Sequence, residues 1–83
     1  MDILNRITQI TSLVWWIDTK TPYTGFYNFN GAEDNLQVKI INNNEVVQYE
    51  YVVENYSKKS HSMVGKELTK IVNNLVNIKE EFN

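Results

Sequence analysis

Residues 46–53 read VVQYEYVV, and apolar and polar side chains alternate along most of this stretch. Because successive side chains of a β-strand point to opposite sides of the sheet, the pattern predicts a strand. The two sides differ in chemistry: one carries Val47, Tyr49, Tyr51 and Val53, and the other carries Val46, Gln48, Glu50 and Val52. The fold must therefore cover one side and leave the other to water or to a partner.

A neighbouring stretch, LQVKII at 36–41, alternates in the same way, and three asparagines at 42–44 separate the two. Asparagine tolerates the positive φ of hairpin turns, so the two stretches are predicted to form an antiparallel hairpin. A two-residue loop would pair Val38 with Tyr49 and collect the large apolar side chains of both strands on one face. We predict that this tyrosine face belongs to the core.

A first strand is predicted at 25–30, where GFYNFN alternates before a turn at 31–35. Tyr27 and Phe29 are predicted to join the core, which leaves Phe26 on the wet face. With the third strand placed over 45–54, the sheet has three antiparallel strands.

Helices are predicted at both ends of the chain, because apolar side chains recur there at the spacing of a helical stripe. The first begins at about Asp2 and reaches Leu13 or further, with a stripe of Ile3, Ile7, Ile10, Val14 and Ile17. The second follows an N-cap at Ser60 or Ser62 and carries Val64, Leu68, Ile71, Leu75, Ile78 and Phe82. This order predicts a single α+β domain over residues 1–83, with both helices on one face of the sheet.

The composition excludes several classes of function. The chain has no cysteine and one histidine, so thiolate metal sites and histidine clusters are impossible, and we expect no metal and no cofactor. It has no Gly-rich phosphate loop and no catalytic constellation, so we expect no enzymatic activity. The start lacks the pattern of a signal peptide and LVWWI at 13–17 is too short for a membrane span, which predicts a cytoplasmic protein.

Trp15 and Trp16 are the first candidates for a binding site. If the first helix continues through them, both lie roughly 100° or more from the centre of its apolar stripe. They would then be exposed anchors for a partner, a role in which tryptophan is enriched. If the helix instead ends near Leu13, the stretch 13–17 runs extended and buries one of them. Both alternatives remain open at this point.

Acidic residues gather on the predicted strands and turns, at Glu33, Asp34, Glu45, Glu50 and Glu54. Such an edge imitates nucleic-acid phosphates and suits a basic groove, but it equally suits the solvated rim of a sheet, where charge prevents aggregation. The first predicted site, a surface for a larger protein, consists of Trp15, Trp16, Phe26, Glu33, Asp34, Glu45 and Glu50.

A basic cluster surrounds the start of the last helix, with Glu67 as the acid within it. Its members are Lys58, Lys59, His61, Lys66 and Lys70. Helix N-termini attract anions, so the cluster is a second predicted site, for nucleic-acid phosphates or an acidic protein. The alternative is a set of ordinary solvated lysines with a surface or capping histidine.

Two resemblances extend these hypotheses. The element order, with SKK at 57–59 and LQVKI at 36–40, resembles double-stranded-RNA-binding domains, which implies nucleic-acid binding by the basic cluster. The start MDILNRITQI, the hairpin at 36–53 and the net charge of −2 resemble small phage-encoded inhibitors of the anti-CRISPR type. That resemblance implies an inhibitor of a host or defence protein, acting inside a bacterial host cell.

We therefore predict a protein that acts by binding, as a stoichiometric inhibitor of a larger protein such as a nucleic-acid enzyme. The alternative prediction is a nucleic-acid-binding domain that uses the lysines. No membrane partner is expected.

Overall fold

The computed structural model describes residues 3–82, so Asp2, the predicted start of the first helix, lies outside the described residues. The elements are α1 (Ile3–Lys20), β1 (Thr24–Asn30), β2 (Asn35–Ile41), β3 (Val47–Glu54), a 3-10 turn (Tyr56–Lys58) and α2 (His61–Glu80). The predicted α+β order of helix, three antiparallel strands and helix is confirmed. Both helices pack against the sheet, as predicted.

The first helix continues through both tryptophans and ends at Lys20. Threonines lower helix propensity, but here they bond to the helix itself: the Thr8 hydroxyl donates to the Leu4 carbonyl at 2.9 Å, and the Thr19 hydroxyl donates to the Trp15 carbonyl at 2.8 Å. Pro22 disfavours a helical conformation at the residue before it, which accounts for the end of α1.

The second helix begins where the sequence predicts. Ser60 is its N-cap, and the Ser60 hydroxyl oxygen accepts a hydrogen bond from the Met63 backbone N–H at 3.2 Å. This bond satisfies one of the N–H groups that have no partner within the first turn of a helix.

The sheet has the order β1-β2-β3, and the pairing of β2 with β3 differs from the prediction by two residues. Val38 lies opposite Tyr51 rather than Tyr49, and a bulge separates the partners of Ile40 and Ile41. The cause is a longer turn: the Asn42 side-chain oxygen accepts from the backbone N–H groups of Asn44 and Val46, at 2.9 and 3.1 Å. A shift of two residues keeps Tyr49, Tyr51 and Val53 on the predicted core face, which is confirmed for the part of β3 beyond the bulge.

The core lies between this face and the helices. Its fully buried strand residues are Leu36, Val38, Ile40 and Val53, and they meet Ile10, Val14 and Ile17 of α1 and the apolar stripe of α2. Two core predictions are wrong. Phe29 is 48% exposed near the strand end, where its ring packs on Tyr56, and Val47 is 47% exposed because the bulge turns it outward.

The two helices lie side by side and run in the same direction, because three strands separate them along the chain. Contacts near their ends show it: Lys79 lies over the Trp16 ring, and Phe82 then packs on Tyr23 with ring centroids 4.9 Å apart. The helix layer therefore has both helix N-termini at one end and both helix C-termini at the other.

Candidate protein-binding surface

The face of the sheet opposite the helices has no element over it among residues 3–82, and we call it the open face. β2 lies in its middle, and the pairing sets its rows. From the hairpin end, the rows are Thr24–Ile41–Val47, Phe26–Lys39–Glu50, Asn28–Gln37–Val52 and Asn30–Asn35–Glu54.

Apolar side chains are concentrated in the two rows at the hairpin end of the open face, which we call the apolar corner, and Val52 is exposed further along β3. Phe26 is 49% exposed, as the alternation of the first strand predicts, and Ile41 and the exposed Val47 lie in the next row. Phe26 and Ile41 line a shallow depression together with Lys39 and Gln37. A half-exposed aromatic ring beside aliphatic side chains is the usual core of a small protein-binding patch.

Two carboxylates, those of Glu45 and Glu50, lie near this corner, and that of Glu54 lies at the far end of the open face. Glu50 lies in the row of Phe26, and its Oε2 accepts a hydrogen bond from the Gln37 amide at 2.9 Å. Glu45 is exposed in the hairpin turn, with a left-handed φ of 62°, and Glu54 ends β3 on the same face. The basic side chain in the rows of the open face is that of Lys39. The open face therefore has an apolar corner with Glu45 and Glu50 near it, and it carries more acidic than basic side chains.

Asp34 and Glu33, the other predicted acids, lie in the turn between β1 and β2, at the opposite end of the sheet from Glu45. The Asp34 carboxylate is bound within the fold, because it accepts from the Ser57 backbone N–H at 2.9 Å and from the Ser57 hydroxyl at 2.8 Å. The Asp34 carbonyl also accepts from the Tyr56 N–H at 3.0 Å. Asp34 thus joins this turn to the segment before α2, and the predicted acids do not form one cluster.

The tryptophans lie on the other side of the molecule, on α1. Trp15 is 60% exposed, whereas Trp16 is half-buried, with the Lys79 ammonium 4.9 Å from its ring centroid. Both line a shallow depression with Ser12 and Leu13. The structure therefore separates the predicted anchors: the tryptophans share the helical side, and Phe26 belongs to the open face.

The basic cluster is partly engaged within the fold. Lys59 forms an ion pair with Glu67 at 2.8 Å, and the other Glu67 oxygen accepts from the Tyr51 hydroxyl at 3.2 Å. Burial raises the pKa of Tyr51, and the Glu67 charge adds to this effect. The Lys70 ammonium lies 6.0 Å from the centroid of the Tyr51 ring.

The other members of the basic cluster are exposed. Lys58 lies in the 3-10 turn, and His61 and Lys66 line a shallow depression at the start of α2. Since Glu67 offsets one lysine, the cluster is less basic than its composition suggests.

The sequence did not predict the apolar residues next to Phe26. Alternation along the third strand placed Val47 on the core face, and only the bulge brings it beside Ile41 on the open face. The signal that was available is Asn42, whose side chain can bond to backbone N–H groups further along a turn and so lengthen it.

Tyr49 carries the one buried side-chain polar atom among residues 3–82 for which the fold provides no hydrogen-bond partner. Its hydroxyl points into the covered side of the sheet, and burial raises its pKa to about 12, with a smaller effect from Tyr51.

No family model, no curated protein and no solved structure matches this chain. Within residues 3–82, neither helix combines the length and the apolar content that crossing a membrane requires.

Proposed function

We propose that the protein binds a larger protein through its open face and inhibits it in a one-to-one complex. The observation that carries the proposal is the exposed apolar corner at Phe26, which nothing in the described fold covers and near which Glu45 and Glu50 lie. Solvent-exposed apolar groups on a surface rimmed with polar side chains are typical of protein-binding sites.

The charges of the open face indicate the chemistry of the partner. Glu45, Glu50 and Glu54 outnumber Lys39, so the complementary surface is basic, with an apolar pocket for the Phe26 ring. Basic grooves of this kind are what enzymes use to hold nucleic acids. We therefore propose a nucleic-acid enzyme as the target, and an inhibitor of the phage-encoded anti-CRISPR type is the concrete form of this proposal.

The test is inhibition of purified CRISPR nucleases by the chain, measured as DNA cleavage while the inhibitor is titrated. A stoichiometric inhibitor abolishes cleavage near one equivalent. Phe26→Ser should weaken the complex by about 2 kcal/mol, roughly thirtyfold, because it removes the anchor. Glu50→Lys should slow association, and more so at low salt.

Lys66→Glu is the matched control, because Lys66 is exposed on α2 and does not belong to the open face. Its binding kinetics should equal those of the parent. Unchanged affinity of Phe26→Ser for an inhibited nuclease would contradict the choice of the open face.

Nucleic-acid binding by the basic cluster is an alternative outcome of the same experiments. Because the log of the affinity falls by about 0.9 per neutralised phosphate, a site of four lysines gives a salt slope of about −3 to −4. The Lys59–Glu67 pair should reduce this slope. Binding of duplex RNA or DNA that Lys58→Glu abolishes would favour this alternative over the inhibitor.

A further inference from the structure

A second stripe runs along the outer surface of α1, and three of its members also border depressions that α2 helps to line: Thr8 with Val76, and Thr11 and Trp15 with Lys79. The stripe consists of Leu4, Thr8, Thr11 and Trp15, at 4-3-4 spacing. Successive helical residues are about 100° apart. Leu13 and Trp15 therefore lie on opposite sides of the buried Val14, and Leu13 is the one that lies toward α2. Leu4 is 68% exposed and Trp15 is 60% exposed, and no member of the stripe is charged. A helix with apolar side chains on two sides is suited to contacts on both.

The two threonines of this stripe are less polar than their type suggests. The Thr8 hydroxyl donates to the Leu4 carbonyl and the Thr11 hydroxyl donates to the Thr8 carbonyl, both at 2.9 Å. Their methyl groups remain for packing, and covering them leaves no hydroxyl without a hydrogen bond. The stripe can therefore be buried at little polar cost.

The same side of the molecule carries the free edge of β1, the outer strand next to α1. The Gly25 N–H points to this edge, because it donates to the Asp18 carboxylate at 3.0 Å. By the alternation of a β-ladder, the N–H groups of Tyr27 and Phe29 point the same way.

Edge strands usually carry charged residues that prevent pairing with another chain. β1 has no charged residue in TGFYNFN, whereas β3, the other edge of the sheet, carries Glu50 and Glu54. The β1 strand itself is thus uncharged, and the Asp18 carboxylate lies at its Gly25 end.

We propose that two copies of the chain pair about a two-fold axis on this side. β1 of each copy joins the other antiparallel, which makes one six-stranded sheet, and the two α1 helices pack antiparallel above it. The stripe is self-complementary, because its positions are symmetric about the midpoint of Gln9 and Ile10. Leu4 of one copy meets Trp15 of the other, and Thr8 meets Thr11, as an isologous interface requires.

Helix and strand place the axis at the same level. Val14 and Asp18 lie over Gly25, and the midpoint of the stripe is about 10 Å back along α1, at 1.5 Å per residue. The turn at 21–23 reverses the chain, so this distance corresponds to about three residues forward along β1, at Asn28. Because the Gly25 N–H already donates to Asp18, the N–H groups left for pairing are those of Tyr27 and Phe29, and these also centre on Asn28. One axis therefore serves both contacts.

Sedimentation velocity of the purified chain, from about 1 µM to about 200 µM, measures the proposed dimer directly. The dimer fraction should rise with concentration, and the tryptophan emission should shift to shorter wavelength as Trp15 becomes buried. A chain that stays monomeric throughout this range overturns the proposal. The interface uses the edge of β1 and the stripe of α1, and not the apolar corner of the open face, so that result would leave the inhibitor proposal standing.

Charges introduced at the two contacts test the geometry. Asn28→Lys places two like charges beside the axis, and Thr8→Glu places a carboxylate in the helix contact. Each should raise the dimer dissociation constant at least tenfold. Adding Thr11→Lys to Thr8→Glu sets opposite charges against each other across the interface and should restore the dimer.

Asn73→Glu, on the exposed side of α2, is the control for added charge and should leave the dimer unchanged. Circular dichroism of each variant checks that the fold is retained. A dimer that persists at its parental strength in both Asn28→Lys and Thr8→Glu would show that another surface forms it, and would overturn this interface.

Discussion

The two faces of the sheet are made by the same three strands, yet one face is buried under the helices and the other is exposed. On β2, Leu36, Val38 and Ile40 have no exposed surface, whereas the alternate residues Gln37 and Lys39 remain accessible. The helices cover the first set, and nothing described covers the second. Alternate residues of a single strand thus contribute to the core and to the surface that we propose for binding. Substitutions on the two faces should separate stability from binding.

The largest expected effect is on the covered face. Val38→Glu should destabilise the fold by about 4 kcal/mol or more, because it buries a carboxylate without a partner. Gln48→Lys, at the exposed bulge residue, should stay within about 0.5 kcal/mol of the parent. Urea denaturation measures both, and a parental midpoint for Val38→Glu would show that the core face is wrong.

The next effect concerns the close approach of α1 to the covered face. A Cβ at Gly25 would lie 2.9 Å from both the Val14 carbonyl oxygen and its Cγ1. Gly25→Ala should therefore cost about 1–3 kcal/mol, as overpacking usually does. At Gly31 the nearest atom would be 3.9 Å away, so Gly31→Ala is the control and should be close to neutral. Equal thermal midpoints for the two variants would contradict this contact.

Two tyrosines on the covered face should respond in opposite directions. Tyr51→Phe removes the hydrogen bond to Glu67 and should cost about 1 kcal/mol. Tyr49→Phe removes a buried hydroxyl that has no partner among the described residues, and it should be neutral or stabilising by up to about 1 kcal/mol. The two variants remove the same atom, so their difference in urea midpoint isolates the hydrogen bond. A loss of stability in Tyr49→Phe would mean that its hydroxyl has a partner.

Tyr49 should also make stability depend on pH in alkali. Burial raises its pKa from 10.0 to about 12, so the folded state favours the neutral phenol. The stabilisation is complete below pH 10.0 and is lost as the pH rises toward 12. Between these values the parent should lose more stability than Tyr49→Phe, in urea unfolding at matched pH. Parallel curves would show that Tyr49 ionises as readily when folded as when unfolded.

The smallest effect on stability is expected on the open face. Phe26→Ser should change the free energy of unfolding by less than about 1 kcal/mol, because half of the ring is already in water. The same variant has the largest expected effect on inhibition. If it unfolds the chain instead, Phe26 supports the fold, and the contrast between the two faces is weaker than proposed.

The sequence was sufficient for the elements and for the core face, because those depend on periodicity along one segment. The apolar stripes predicted both helices, and of the two predicted N-caps, Ser60 and Ser62, the structure selects Ser60. The pairing of β2 with β3 was not predictable, since it depends on the hydrogen bonds of the Asn42 side chain in the turn. The core face survived this error because the shift was by two residues.

The composition of the predicted site was harder to anticipate. The exposure of Phe26 followed from alternation within its own strand. Its separation from Trp15 depends on which face of the sheet α1 covers, and neither segment encodes that alone. Asp34 carried no sequence signal for its bonds to Ser57, which is distant along the chain. Long-range contacts of this kind are visible only in the folded structure.

The parallel run of α1 and α2 has an electrical consequence. The peptide dipoles of two helices that point the same way add, so both positive ends lie at one end of the layer and both negative ends at the other. Side chains modify this separation at both ends: Lys58 and Lys66 lie near the helix N-termini, whereas Lys20 and Lys79 in the last turns offset Asp18 and Glu80. The peptide dipoles of α1 and α2 therefore add within a single copy, whereas antiparallel pairing of two copies would cancel them.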